Sequence, residues 1–269
     1  MQMHVIASGL NLRASAPDGE VAAVLRCGHP VTVTGSDQPG WVTVECPDPG
    51  DPGAAVTGVV AERFLRPAIP SAQEALVAAA LAEWRRFDYG AGHEATTPYS
   101  GYVGEMWTAM GFPTLDGTDR QYPWSAAAIS WIVRQAAKHA PALDTFEYAI
   151  SHSRYIKDAI EKREAGKAAP YWGRRLSEAP ARIGDMVVLS RKDTTGNHDN
   201  KTVDTYEEAR DIKGTFPSHC DLIVGVSNGQ AHALGGNVGQ SLSMSSFALD
   251  DKGHLAAKNR VFMLLQCRL

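Results

Sequence analysis

Ser125 stands where an extended loop turns into an apolar helix, in the stretch Tyr122-Pro123-Trp124-Ser125-Ala126-Ala127-Ala128-Ile129-Ser130-Trp131. A small hydroxyl at a helix N-terminus has two uses. It can cap orphan backbone N–H groups, a role serine favours strongly. It can also attack an electrophile, provided that a base takes its proton and donors meet the developing oxyanion. A cysteine in this place can sit as a thiolate, aided by the helix dipole. A serine hydroxyl is too weak an acid for that and needs a partner. The four cysteines, Cys27, Cys46, Cys220 and Cys267, lie elsewhere. Their spacing fits no zinc site.

Further polar candidates follow along the chain. His219 and Asp221 are two apart on an expected strand and share a face, while Cys220 points the other way and reads as a small core residue. Taken alone, His219 at a strand start is a hydrogen-bonded structural histidine. Asn237 follows Gly235-Gly236, and Asn tolerates left-handed backbone, so by itself it is a turn residue. His152, between Ser151 and Ser153, is expected on a solvated helix face. Glu105 either lines a cleft or makes a surface ion pair. His198 and Asp199, with His219, Asp221 and His232, are too irregularly spaced for a metal site. Neither a metal nor a cofactor is expected. Cys27 and Cys46 share one expected small barrel, which leaves a disulfide between them open.

The elements that must position these groups fall into two parts. Residues 1–67 read as short strands over Leu10–Arg13, Val21–Leu25, Pro30–Thr34, Trp41–Glu45 and Val56–Val60, joined by turns at Asp18-Gly19, Asp37–Gly40 and Pro47–Gly53. Pro67–Pro70 is a stiff linker. Ser71 with Glu74 forms a capping box, and Val77, Leu81, Trp84 and Phe87 recur at helical spacing. Further helices are expected over Tyr102–Met110, Trp124–Lys138 and Phe146–Arg163. Gly166–Pro180 reads as a loop. Strands are expected over Ile183–Ser190, His219–Val226, Gln230–Leu234, Ser241–Ala248 and Val261–Cys267, with Asn228-Gly229 as a hairpin turn. Arg191–Pro217 is a long polar insertion. Helices followed by a meander give an α+β domain over residues 71–269 with an antiparallel sheet.

Two resemblances carry this further. Leu10-Asn11-Leu12-Arg13, Val31-Thr32-Val33, Gly40-Trp41-Val42-Thr43-Val44, and Gly58-Val59-Val60 before Phe64-Leu65 resemble a bacterial SH3-like domain. That likeness implies a small all-β barrel over residues 1–67 that holds an enzyme to peptidoglycan. Pro123-Trp124-Ser125-Ala126-Ala127, Gly184-Asp185-Met186-Val187-Val188, His219 and Gly235-Gly236-Asn237 follow the running order of NlpC-type and CHAP-type hydrolases. The segments Glu83-Trp84, Val103-Gly104-Glu105, Ser151-His152, Tyr155-Ile156 and His219-Cys220-Asp221 are similar to a bacterial family of unassigned function within that set.

The resemblance implies a papain-like fold and an amidase or endopeptidase acting on peptidoglycan or its peptide fragments. It implies Ser125 as nucleophile, His219 as general base, and Asn237 or Asp221 as the group that orients the base. Trp124, Glu105 and His152 would line the cleft. Those hydrolases carry cysteine where this chain has Ser125. The alternative is therefore a non-catalytic peptidoglycan- or peptide-binding protein that keeps the cleft.

A net charge of −4 over 269 residues gives no basis for nucleic-acid binding. No apolar run approaches the roughly 18 residues of a membrane span. Met1–Ser8 has neither a basic n-region nor an apolar core, so no signal peptide is visible. On this basis the protein is expected to be cytoplasmic as made, and action on the wall would need a non-classical or contact-dependent route of export.

Overall fold

The computed structural model describes residues 1–7, 9–192 and 202–269. The chain divides into two compact units, Met1–Pro70 and Ser71–Leu269. In the first, seven strands form one antiparallel sheet: β1 (Gln2–Val5), β2 (Leu10–Arg13), β3 (Val21–Leu25), β4 (Pro30–Gln38), β5 (Trp41–Pro47), β6 (Ala55–Ala61) and β7 (Leu65–Pro67). Their spatial order is β3-β2-β6-β5-β4-β1-β7. Alternation along the strands puts Leu10, Leu12, Val42, Val44 and Cys46 into one buried cluster with Leu25 and Val60. Two strands are not visible in the local pattern. Gln2–Val5 and Leu65–Pro67 are short, and each is held by pairing, β1 with both β4 and β7. Cys27 and Cys46 are free thiols, so no disulfide joins them. Burial pushes both thiols up to about 11.

The second unit is α+β. Four helices come first: α1 (Ser71–Arg86), α2 (Tyr99–Ala109), α3 (Ser125–Ala137) and α4 (His152–Glu164). Then come β8 (Tyr171–Arg174), β9 (Met186–Ser190), α5 (Tyr206–Asp211), β10 (Ser218–Ser227), β11 (Gln230–Val238), β12 (Ser241–Ala248) and β13 (Val261–Cys267). The six strands form one antiparallel sheet in the order β12-β11-β10-β9-β13-β8. The β10–β11 hairpin turns through Asn228 and Gly229, both at positive φ, as Asn-Gly turns require.

Helix α3 is the centre of this unit. Ala126–Ile129, Ile132, Val133 and Ala136 are buried. The helix packs on α1, α2, β10 and β11. Small residues in its first turns let β11 come close, while Ile129, Ile132 and Val133 supply area. Each of those larger side chains stabilises the fold by about 1.5–3 kcal/mol.

Three sequence expectations change. The helix expected from Phe146 begins only at His152. Ser130 on α3 explains this: its Oγ accepts from Ala149 N (3.0 Å) and donates to Ala149 O (2.8 Å), which ties the preceding segment to α3 and removes it from helical pairing. Tyr171–Arg174, expected in a loop, is the edge strand β8, recruited by pairing with β13. The insertion after Arg191 contains a short helix, α5, started by a Thr205/Glu208 capping box. His198 and Asp199 lie outside the described residues.

Candidate active site

Ser125 is the first residue of α3. Trp124 before it has non-helical backbone and provides no side-chain cap. Ala128 N donates to Trp124 O, so the amides of the preceding turn are outside the helical ladder. The Ser125 hydroxyl is turned to a histidine: Oγ lies 2.7 Å from His152 Nε2 in a buried hydrogen bond.

His152 is therefore not on a solvated face. It is 5% exposed and opens α4. A signal was present in the sequence. His152 lies three and four residues before Tyr155 and Ile156, in phase with the inner face of the helix. Its flanking serines and the early start assigned to the helix hid that phase. The other ring nitrogen, Nδ1, hydrogen-bonds to the Tyr155 hydroxyl. Burial, aided by His219 and Arg191, holds the imidazole well below its ordinary pKa, so the ring is neutral. Burial, with the Cys220 thiol and Asp221 nearby, drives the Tyr155 hydroxyl far above its ordinary value, so it keeps its proton.

His219, the residue that the resemblance implies as base, lies close by, and no hydrogen bond joins it to Ser125 among the described residues. Its ring centroid is 5.0 Å from that of His152. Its Nε2 lies 2.8 Å from Asp221 Oδ1. The two atoms are not aligned for a hydrogen bond, and both are buried without a hydrogen-bond partner among the described residues. Strand alternation alone would leave residues two apart side by side without contact. Here the two side chains meet over Gly235. A Cβ there would fall on Asp221 Oδ1 and within 3.1 Å of His219 Nε2. Asn237 sits where β11 loses register with β12, at φ 56°. Among the described residues, no hydrogen bond joins its side chain to Ser125, His152 or His219.

Trp124 is committed to the interior at 2% exposure. Its Nε1–H donates to the buried Glu94 carboxylate at 2.5 Å, and its ring stacks on Phe87 at 5.5 Å. Gly236 packs against the same ring, where a Cβ would meet Trp124 Cζ3 at 2.8 Å. These contacts fix the turn that carries Ser125. Glu94 was absent from the sequence candidates, because a lone glutamate in a loop has no pattern to mark it. Glu105 pairs with Arg86 at 2.7 Å and is half-exposed. Arg86 also reaches Glu83 and lies over the Tyr102 ring. Among the described residues, no group of three or more His, Cys, Asp or Glu is gathered to hold a metal ion.

The second unit is thus an α+β domain whose central helix presents a serine to a neutral, buried histidine. The family model described as "Uncharacterized protein conserved in bacteria (DUF2272)" matches residues 80–264, and the chain belongs to that family. No curated protein matches the chain. A solved structure, NlpC2 from Trichomonas vaginalis, aligns at 12% identity and a TM-score of 0.28 over 91% of this chain and 67% of that one. That similarity is too low to carry any argument. No helix among the described residues is long and apolar enough to cross a membrane.

Proposed function

We propose that the protein is a serine-dependent amide-bond hydrolase of the bacterial cell wall, with Ser125 as nucleophile and His152 as general base. The observation that carries this reading is the 2.7 Å hydrogen bond between Ser125 Oγ and His152 Nε2 at the start of α3. In the first step Oγ forms a bond to the substrate carbonyl carbon, and its proton passes to Nε2. The free amides of the first turn of α3 face the developing oxyanion. The protonated His152 then returns the proton to the leaving amine as the C–N bond breaks, and water releases the acyl group by the same exchange in reverse. His219 and Asp221 belong to the surroundings of the base, not to its primary role.

The wall substrate rests on the running order of residues shared with NlpC-type and CHAP-type hydrolases, and on the SH3-like pattern of residues 1–67. In this proposal that N-terminal domain holds the enzyme to peptidoglycan, and residues 71–269 form the papain-like catalytic domain. One observation favours a second reading, a peptidoglycan-binding protein without turnover: Ser125 is 8% exposed, which offers little surface to an incoming carbonyl.

Purified sacculi, incubated with wild type and with Ser125→Ala, separate the two. Release of soluble fragments by wild type and not by the variant supports the hydrolase. Sedimentation of wild type with sacculi, with no fragments released and no labelling of Ser125 by a fluorophosphonate, removes it in favour of binding.

A further inference from the structure

The ring of Trp124 is held on three sides. Its face stacks on Phe87, with centroids 5.5 Å apart and planes 16° from parallel. Its six-membered edge lies against Gly236, where a Cβ would come within 2.8 Å of Cζ3. Its Nε1–H donates to Glu94 Oε2 at 2.5 Å. These contacts are not equivalent. Stacking and close packing settle where the ring lies, but they discriminate weakly between its edges. A hydrogen bond is directional, and an indole nitrogen can only donate. The bond to Glu94 therefore selects the ring orientation that packing alone leaves open.

Glu94 is itself fixed, in the loop between α1 and α2. It is 6% exposed. Its backbone N–H donates to Gln240 O at 2.8 Å, in the turn between β11 and β12. Gly117 packs so closely on its backbone that a Cβ there would fall 2.0 Å from Glu94 O. Among the described residues no basic side chain pairs with the carboxylate, and the indole is its one side-chain partner. A carboxylate buried on those terms costs stability, and an apolar residue of like size would serve packing as well or better. Its presence points to a task other than stability.

That task lies one residue beyond the indole. Trp124 O accepts from Ala128 N at 2.9 Å, which closes the first turn of α3, and Ser125 follows directly. A ring that rocks in its slot would carry this turn with it, and the Ser125 hydroxyl would leave its 2.7 Å bond to His152 Nε2. A misplacement of about 1 Å at a reacting atom costs ~10²-fold in rate. We propose that Glu94 is a positioning residue, whose carboxylate orients the Trp124 indole and through it aims Ser125 Oγ at His152. This role rests on the assignment of Ser125 as nucleophile.

Three variants separate aiming from stability. Glu94→Leu removes the acceptor and fills its place with apolar atoms. Fluorophosphonate should label its Ser125 ~10²-fold more slowly than in wild type, and kcat on peptidoglycan fragments should fall with KM little changed. Its thermal midpoint should stay level or rise. Glu94→Gln keeps an acceptor and should restore labelling to within about threefold of wild type. Trp124→Phe keeps the stack and removes the donor. It should slow labelling as Glu94→Leu does, and the double variant should be no slower than either single one. Two readouts need no turnover. The Trp124 indole ¹H–¹⁵N signal, assigned by its loss in Trp124→Phe, should lie downfield and exchange slowly in wild type and in Glu94→Gln, and should shift in Glu94→Leu. The imidazole nitrogens of His152 should shift in that variant too. Glu94→Leu labelling at the wild-type rate, or a loss that only tracks the folded fraction, overturns the proposal. So does Glu94→Gln as slow as Glu94→Leu, a double variant whose loss is the product of the single losses, or a fast-exchanging indole in wild type, which needs no variant to fold. If the indole and imidazole signals behave as stated while wild type neither labels nor cleaves, the hydrolase assignment has failed and the aiming of Ser125 has not.

Discussion

Ser125 and His152, 27 residues apart, share a buried 2.7 Å hydrogen bond, and each is the first residue of its helix. Two positive helix ends therefore converge on one hydroxyl–imidazole pair. That field disfavours a standing positive charge on the ring and favours negative charge on the serine oxygen. It acts in the same direction as the burial that keeps His152 neutral.

The first prediction separates the two histidines. His152→Ala should slow fluorophosphonate labelling of Ser125 by ~10²–10⁴-fold, the usual size of a general-base contribution. His219→Ala should slow it by less than about tenfold, since His219 acts only on the surroundings of the base. Labelling rates measured by mass spectrometry decide the matter. A larger loss with His219→Ala would return the base to the place the resemblance gave it.

The pH profile should be shifted to the acid side. His152 has a lowered pKa, so it stays unprotonated and able to accept a proton at pH values below about 6.5, the ordinary histidine value. The acid limb of log kcat/KM should therefore fall below that point. A limb at or above it would mean that the ring is not desolvated in the working enzyme.

Stability should depend on pH through Asp185. Its carboxylate accepts from Arg182 N (2.8 Å) and Cys267 N (2.7 Å), yet burial raises its pKa to about 7. The folded protein holds a proton that an unfolded chain, with aspartate near about 3.9, has already released. This contribution is full below about pH 4 and is lost as pH rises to about 7, a change on the order of 4 kcal/mol. His152 acts oppositely: its folded pKa lies below the unfolded value, so its contribution is lost as pH falls below about 6.5. Urea unfolding of wild type and Asp185→Asn isolates the aspartate. The advantage of wild type over the variant should be greater at pH 5 than at pH 8. A difference that is constant with pH contradicts the assignment.

Gly236→Ala should destabilise the second unit by ~1–3 kcal/mol, because the new methyl meets Ala128 and the Trp124 ring in a packed interior. It should also reduce labelling of Ser125, which Trp124 carries. Gly101→Ala, on α2 where nothing lies within 4 Å, should be neutral or stabilising by up to ~1 kcal/mol. Thermal unfolding of the two variants tests the contrast, and equal effects would show that close packing at Gly236 is not what fixes the turn.

Much of the frame was legible. Leu10–Arg13, Val21–Leu25, Ser241–Ala248 and Val261–Cys267 carry their strand pattern in full, and each forms the strand expected. The helix around Ser125 was marked by its apolar period and by Pro123. Elements held by partners were not legible. β7 and β8 are short edge strands whose order comes from a neighbour, and the start of α4 is set by Ser130 reaching from α3 to Ala149.

The sequence by itself determined that a serine would open a buried helix and that His219 and Asp221 would lie together on a strand, because both follow from local periodicity. Only the tertiary structure decided which histidine the serine meets. A hydrogen bond between side chains 27 residues apart depends on where two helices begin and how they pack on one sheet. Periodicity places a side chain on a face, but the partner across that face is chosen by packing in three dimensions. That choice put His152 beside Ser125, placed Tyr155 behind it, and left His219 next to the pair.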